Sequence, residues 1–185
     1  MVSKFIFHIL VIITIHEQAR GDDLPDSIKE LQKYFGNGTS NDVTNVFYKF
    51  LHNEHGLPSQ AKQALKQHLI VSDWYGYDAE DTQIYVKNMK LISETKVENE
   101  EDLTVLRSQL HNSNDFQTEL LMGQLLNNRD DSEEATTAFD KAFITLDNSR
   151  VQLYYTDDSG VMSGVVVAAK RKDSNHAVYL VFVTD

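Results

Sequence analysis

Two histidines, His52 and His55, lie three positions apart in the segment HNEH, with Glu54 between them. Neighbouring imidazoles on one helix face can bind zinc or copper, so this pair is a candidate metal site. Its spacing differs from the His-Glu-x-x-His motif of hydrolytic zinc enzymes, whose ligands are four positions apart. Histidine is also common at solvated helix ends, and the sequence favours that interpretation.

The densest aromatic and acidic cluster is DWYGYDAED, residues 73–81. Exposed Trp74, Tyr75 and Tyr77 beside carboxylates would suit a sugar-binding face or a protein-binding hot spot, so these three are candidate ligand-binding residues. Since Trp74 is the only tryptophan, the alternative is a side chain that fills the core. A glycosidase would need two carboxylates about 5–10 Å apart, and no pair stands out among many.

The segment FGNGTSND, residues 35–42, resembles a phosphate-binding loop only in its glycines. A P-loop ends in Gly-Lys-Ser/Thr after a strand, whereas this segment has no lysine and follows a predicted helix. Asn37-Gly38-Thr39 is a sequon for N-glycosylation, which makes Asn37 a candidate glycan site in a secreted protein. Gly36 and Gly38 would also serve as simple turn residues between two helices.

The N-terminus has the three parts of a secretory signal peptide. Lys4 gives a positive start, Phe5 to Ile15 form an apolar run, and Ala19-Arg20-Gly21 places small residues at a cleavage site. The run is shorter than the roughly 20 residues that a spanning helix needs. We therefore expect residues 1–21 to be removed, leaving a soluble, secreted, extracellular protein with no permanent membrane anchor.

Charge and cysteine content exclude several kinds of partner and chemistry. The chain carries a net charge of −11, which argues against nucleic acid as a partner because nucleic-acid binding needs basic patches. It contains no cysteine, so thiol nucleophiles, thiolate metal sites and stabilising disulfides are excluded. No motif indicates a cofactor, and we expect none.

Apolar spacing predicts helices along most of the chain. Leu24, Ile28, Leu31 and Phe35 follow a helical period, and so do Val43, Val46, Phe47, Phe50 and Leu51. Further helical stripes follow Pro58, include Tyr85, Met89 and Ile92, and continue to Leu146, where Asp131 and Glu134 have capping-box spacing at the start of the last helix. Ile84 and Val86 would also fit a strand.

From Arg150 the pattern changes to strands. RVQLYYT, VMSGVVVAAKR and AVYLVFVT are rich in valine and tyrosine and are separated by the turn-forming segments DDSG and KDSNH. We therefore predict an α+β fold: six or seven amphipathic helices followed by a C-terminal three-stranded antiparallel β-meander. Residues 22–185 would form a single globular domain, mainly helical over 22–147, with the meander over 150–184.

The leading functional hypothesis is a non-enzymatic interaction or effector protein, because a secretory address accompanies no catalytic signature. Its partner would be an extracellular protein or a small apolar ligand, and host defence or a stress response is one setting. One alternative is a membrane-active, pore-forming or lytic protein that inserts helices or the VMSGVVVAAK hairpin after acidification. A second alternative is an extracellular hydrolase that uses carboxylates near Trp74 or the His52/His55 pair.

Overall fold

The computed structural model describes residues 24–39, 43–51, 56–72 and 81–185. The helices of these ranges are α1 (Asp26–Phe35), α2 (Gly56–Val71), α3 (Asp81–Asn88), α4 (Glu100–His111), α5 (Phe116–Asn127) and α6 (Ser132–Phe143). The strands are β1 (Thr44–Phe50), β2 (Lys90–Lys96), β3 (Asn148–Asp157), β4 (Ser163–Arg171) and β5 (His176–Thr184). The predicted signal peptide, residues 1–21, lies outside the described residues.

The five strands form one antiparallel sheet in the order β1-β5-β4-β3-β2. The protein is therefore α+β as predicted, but the prediction of a three-stranded C-terminal meander is wrong. Strand β1 extends the sheet beyond β5, and strand β2 extends it beyond β3. Both strands come from the part of the chain, 22–147, that was predicted to be mainly helical.

Strand β1 corrects the predicted second helix. It pairs with β5 from Thr44 opposite Phe182 to Phe50 opposite His176. Every residue from Thr44 to Tyr48 is buried, because both faces of the strand are covered. A strand covered on both faces is apolar almost throughout, and a short apolar run of this kind also fits the helical period.

The sheet lies between two layers of helices. One face packs on α1, α4, α5 and α6 through residues such as Leu153, Val167 and Leu180. The other face packs on α2 and α3 through residues such as Val166, Tyr179 and Val181. Alternate residues of the central strands thus enter opposite cores, as expected for successive side chains of a strand.

Helix α4 determines the surroundings of strand β2. Its Leu106 and Leu110 are buried in the core beneath the sheet, so the helix lies beside the β2 edge. None of the helices in the described ranges is long and apolar enough to span a membrane. The VMSGVVVAAK segment contributes β4, which is bonded to β3 on one side and β5 on the other. Its insertion into a membrane would break both of these ladders.

Candidate functional site: the open edge at strand β2

The two edge strands of the sheet differ in how their outward backbone groups are used. On β1, the N–H of Val46 donates to the carbonyl of Gly36 at 3.1 Å. The carbonyl of Val46 accepts from Gln32 Nε2 at 3.5 Å, and that of Phe50 accepts from Gln60 Nε2 at 2.9 Å. The outward groups of Val46 and the carbonyl of Phe50 are thus bonded by α1, its following loop and α2, whereas no described residue bonds the outward backbone groups of Tyr48 between them.

On β2, the register identifies which backbone groups face outward. Val97 N–H donates to the carbonyl of Ser149 at 3.1 Å, and the same register pairs Thr95 with Val151 and Ser93 with Leu153. Hydrogen-bonded and non-hydrogen-bonded pairs alternate along an antiparallel ladder. The backbone N–H and C=O groups of Glu94 and Lys96 therefore point away from β3, and no other described residue forms hydrogen bonds with them.

A cavity of about 310 Å³ lies between this open edge and helix α4. Its lining residues are Ile92, Ser93 and Glu94 of β2 and Ser108, Gln109, Asn112, Ser113 and Asn114 of α4 and the following loop. Most of these side chains carry hydroxyl or amide groups, so the cavity suits a polar side chain rather than an apolar ligand. We call the edge of β2 and this cavity together the β2 groove.

The wall of the β2 groove is held in place at two points. Thr95 Oγ1 donates to Gln109 Oε1 at 2.6 Å, which joins the strand to the helix. At the start of α4, Asn99 Oδ1 accepts from the backbone N–H of Asp102, and Asp102 Oδ2 accepts from the N–H of Asn99. This reciprocal capping box satisfies N–H groups that would otherwise be unpaired at the start of the helix.

On the face of β2 away from α4, three side chains form a chain of hydrogen bonds. Tyr154 Oη donates to Gln152 Oε1 at 2.6 Å, and Gln152 Nε2 donates to Glu94 Oε2. Burial, followed by the nearby Glu94 carboxylate, raises the pKa of Tyr154, so the phenol remains a donor at physiological pH. Glu94 is exposed, yet one of its oxygens accepts from buried Gln152, which is itself held by buried Tyr154.

Features of β2 also limit indiscriminate pairing at this edge. The strand is short, ends in Lys90 and Lys96, and has a register irregularity between Leu91 and Ser93. Lysines and bulges are common on natural edge strands because they disfavour edge-to-edge aggregation. Lys90 lies over the ring of Tyr155 at 4.7 Å, so it leaves the outward groups of Glu94 and Lys96 uncovered.

Most of the sequence-predicted sites lie outside the described residues. This is so for the metal candidates His52 and His55 and for the ligand-binding candidates Trp74, Tyr75 and Tyr77. Among the described residues, no group of three or more metal-binding side chains is brought together. The predicted glycan acceptor is described: Asn37 is exposed, and its Oδ1 accepts from Thr39 Oγ1 at 2.6 Å.

A buried cluster around His68 resembles a catalytic triad only in composition. Asn45 Nδ2 contacts His68 Nδ1 at 2.9 Å, and Ser72 Oγ lies 3.5 Å from the same nitrogen while donating to the His68 carbonyl. Gly38 N–H donates to Asn45 Oδ1, which leaves the Asn45 amide as the donor to the ring. Nucleophilic serine catalysis uses opposite ring nitrogens for serine and orienting group, so this cluster is structural.

Sequence reasoning missed the β2 groove. The only sequence signal for it is the polar segment HNSND, residues 111–115, which supplies Asn112, Ser113 and Asn114 to the cavity. The open edge depends on how strands far apart in sequence pair, and no motif marks it.

The fold and the β2 groove define a three-layer α+β protein whose sheet, in its described part, has an open edge with a polar cavity at β2. Comparison with known proteins finds no matching family model, no matching curated protein and no matching solved structure.

Proposed function

We propose that the chain is a secreted, non-enzymatic binding protein that holds an extended segment of another extracellular protein along β2. The bound segment would form a sixth strand of the sheet. The observation that carries this function is the outward-facing backbone of Glu94 and Lys96, unpaired among the described residues beside a polar cavity.

Strand addition at an exposed edge is a general way for a folded domain to recognise an extended peptide. Backbone hydrogen bonds to the edge supply affinity, and pockets for alternate side chains supply specificity. In the β2 groove, the backbone groups of Glu94 and Lys96 would make the ladder. Every second side chain of the bound segment would point toward α4, where the cavity offers hydroxyl and amide partners.

In this function residues 1–21 direct the chain to the secretory pathway, and Asn37 carries a glycan. Asn37 and Thr39 are exposed and lie next to the β1 edge, since Gly36 and Gly38 bond to Val46 and Asn45. Four strand spacings separate β1 from β2, which is about 19 Å. A glycan at Asn37 would therefore leave the β2 groove accessible.

The test uses a library of random twelve-residue peptides displayed on phage, selected on the purified protein. Enriched peptides are synthesised, and their affinity is measured by isothermal titration calorimetry for wild type, Lys96→Pro and Lys96→Ala. Proline removes the outward N–H at Lys96 but no bond to β3, and an edge strand tolerates this change. We expect Lys96→Pro to weaken binding about five- to thirtyfold and Lys96→Ala to weaken it less than threefold, because one lost backbone bond costs about 1–2 kcal/mol.

Circular dichroism on heating checks that Lys96→Pro remains folded, and Thr95→Pro serves as the opposite control because its N–H points into the sheet. If Lys96→Pro unfolds, amide chemical shifts of the wild type locate the bound peptide instead. Failure to enrich any peptide, equal affinity for folded Lys96→Pro, or shifts confined to residues away from 91–97 would each overturn the function.

A further inference from the structure

The Glu94 carboxylate is oriented before any partner binds. Gln152, which donates to Glu94 Oε2, is 3% exposed, and Tyr154, which holds Gln152, is 5% exposed. The second carboxylate oxygen of Glu94 accepts no hydrogen bond from any described residue. The strand thus presents a fixed negative charge with one free acceptor at its open edge.

The position of Glu94 on the strand puts this charge next to a bound segment. Glu94 stands opposite Gln152 in the ladder, on the sheet face away from α4. In an added strand, the residue directly opposite Glu94 would have its Cβ atom about 5 Å away and on the same face. The neighbouring residues of that strand would point toward the cavity.

The segment that forms β2 and the wall of the groove is acidic overall, while Arg150 of β3 lies opposite Lys96. From position 90 to 119 the acidic residues are Glu94, Glu98, Glu100, Glu101, Asp102, Asp115 and Glu119, and the basic ones are Lys90, Lys96 and Arg107. This part of the chain therefore has a net charge of −4. A basic segment would be attracted by this field and would bind faster at low ionic strength.

Resting on the proposed function, we infer that the bound segment is basic and places a lysine or arginine opposite Glu94, with small polar residues facing the α4 cavity. A second copy of this chain fits less well. The register that uses the outward groups of Glu94 and Lys96 would pair β2 with itself about Thr95 and set Glu94 opposite Lys96, but it would also bring two acidic surfaces together. Repulsion between two surfaces of the same net charge disfavours this pairing.

The same peptide library tests this inference on wild type, Glu94→Gln and Glu98→Gln. Glutamine retains an oxygen that can accept from Gln152, and Glu98→Gln removes an equal charge from an exposed site just beyond the strand. We expect wild-type peptides to contain lysine or arginine at one fixed position. Glu94→Gln should weaken their binding about fivefold, the upper range for a charged cross-strand pair, and Glu98→Gln less than twofold.

In a peptide selection on Glu94→Lys, we expect the charge preference to reverse, so that enriched peptides contain aspartate or glutamate at the fixed position. If wild-type peptides show no basic position, or if Glu94→Gln and Glu98→Gln weaken binding equally, the inference is wrong. Sensitivity of the same peptides to Lys96→Pro would still support strand addition, so the two failures are distinguishable. A dimer that forms on size-exclusion chromatography and dissociates in Lys96→Pro would identify a second copy as the occupant and overturn the basic segment.

Discussion

Gly164 has no room for a side chain because β4 and β5 approach closely there. A Cβ atom at this position would lie 2.5 Å from the carbonyl oxygen of Phe182 and 2.9 Å from a methyl group of Val183. We expect Gly164→Ala to lower the free energy of unfolding by about 2 kcal/mol, within the range for overpacking. The change is measured as a shift of the urea midpoint.

Gly123 provides the matched control for this substitution. It lies inside α5, and a Cβ atom there would meet nothing within 4 Å. Since alanine favours a helix over glycine, Gly123→Ala should stabilise the protein by up to about 1 kcal/mol. Equal midpoint shifts in the two variants would contradict the close approach of β4 and β5.

His68 should make the stability depend on pH. Burial lowers its pKa from 6.5 to about 4, and the ring is 1% exposed. Between these values the unfolded chain binds a proton that the folded protein does not, so stability falls as the pH decreases from 6.5 toward 4. The loss is about 3 kcal/mol in total.

The test compares wild type with His68→Asn, whose Oδ1 can replace Nδ1 as acceptor from Asn45. Urea unfolding at several pH values between 7 and 4 gives the free energy of unfolding for each. We expect the wild-type curve to fall more steeply over this range, whatever the absolute stability of the variant. Parallel curves would show that His68 is not buried in its neutral form.

The start of α6 shows how a correct spacing can predict the wrong contact. Asp131 and Glu134 have capping-box spacing, and Asp131 does precede the helix. Its side chain makes no capping bond, however, because it pairs with Arg129, whose guanidinium also donates to the carbonyl of Tyr34. Arg129 is only two positions away, but the contact with Tyr34 that holds its guanidinium is tertiary, and the sequence does not reveal it.

At the scale of elements, the cap of α4 has a measurable effect on stability. Asn99 Oδ1 accepts from the backbone N–H groups of Glu101 and Asp102 at 2.9 and 3.2 Å. We expect Asn99→Ala to destabilise the protein by about 1 kcal/mol and to speed amide exchange in the first turn of α4. Asn99→Ser, which keeps a capping oxygen, should restore most of the loss, and equal losses in both variants would exclude the cap as the cause.

The type of an element could be predicted from the sequence where the element is a helix with one face buried in a core. The helices around Ile28, Leu65 and Phe139 have single buried stripes, and their predicted type is confirmed. Strands β1 and β2 were not predicted as strands, for opposite reasons. Residues 44–48 are buried on both faces, and β2 is largely exposed, so neither shows the alternation that identifies a strand.

At the scale of the whole molecule, the α+β class followed from the sequence, but the groove did not. The change of pattern after Arg150 correctly indicated strands, since β3, β4 and β5 pair in order. The groove requires β2 to pair with β3 across more than 50 intervening positions, and α4 to pack beneath it. Pairing at this separation is decided by the assembled core, which no local motif encodes.

The proposed secretion and glycosylation can be tested on the whole chain by expressing it in secreting eukaryotic cells. We expect the protein from the medium to lack residues 1–21 and to carry one N-glycan at Asn37, because Asn37 and Thr39 of the sequon are exposed. Intact mass before and after enzymatic deglycosylation measures both.

Thr39→Ser retains the sequon and should keep the glycan, whereas Thr39→Ala should lose it. An uncleaved or unglycosylated product would contradict the secretory part of the function. If the glycan is present, it should not change peptide affinity, because Asn37 lies at the β1 edge, across the sheet from the groove.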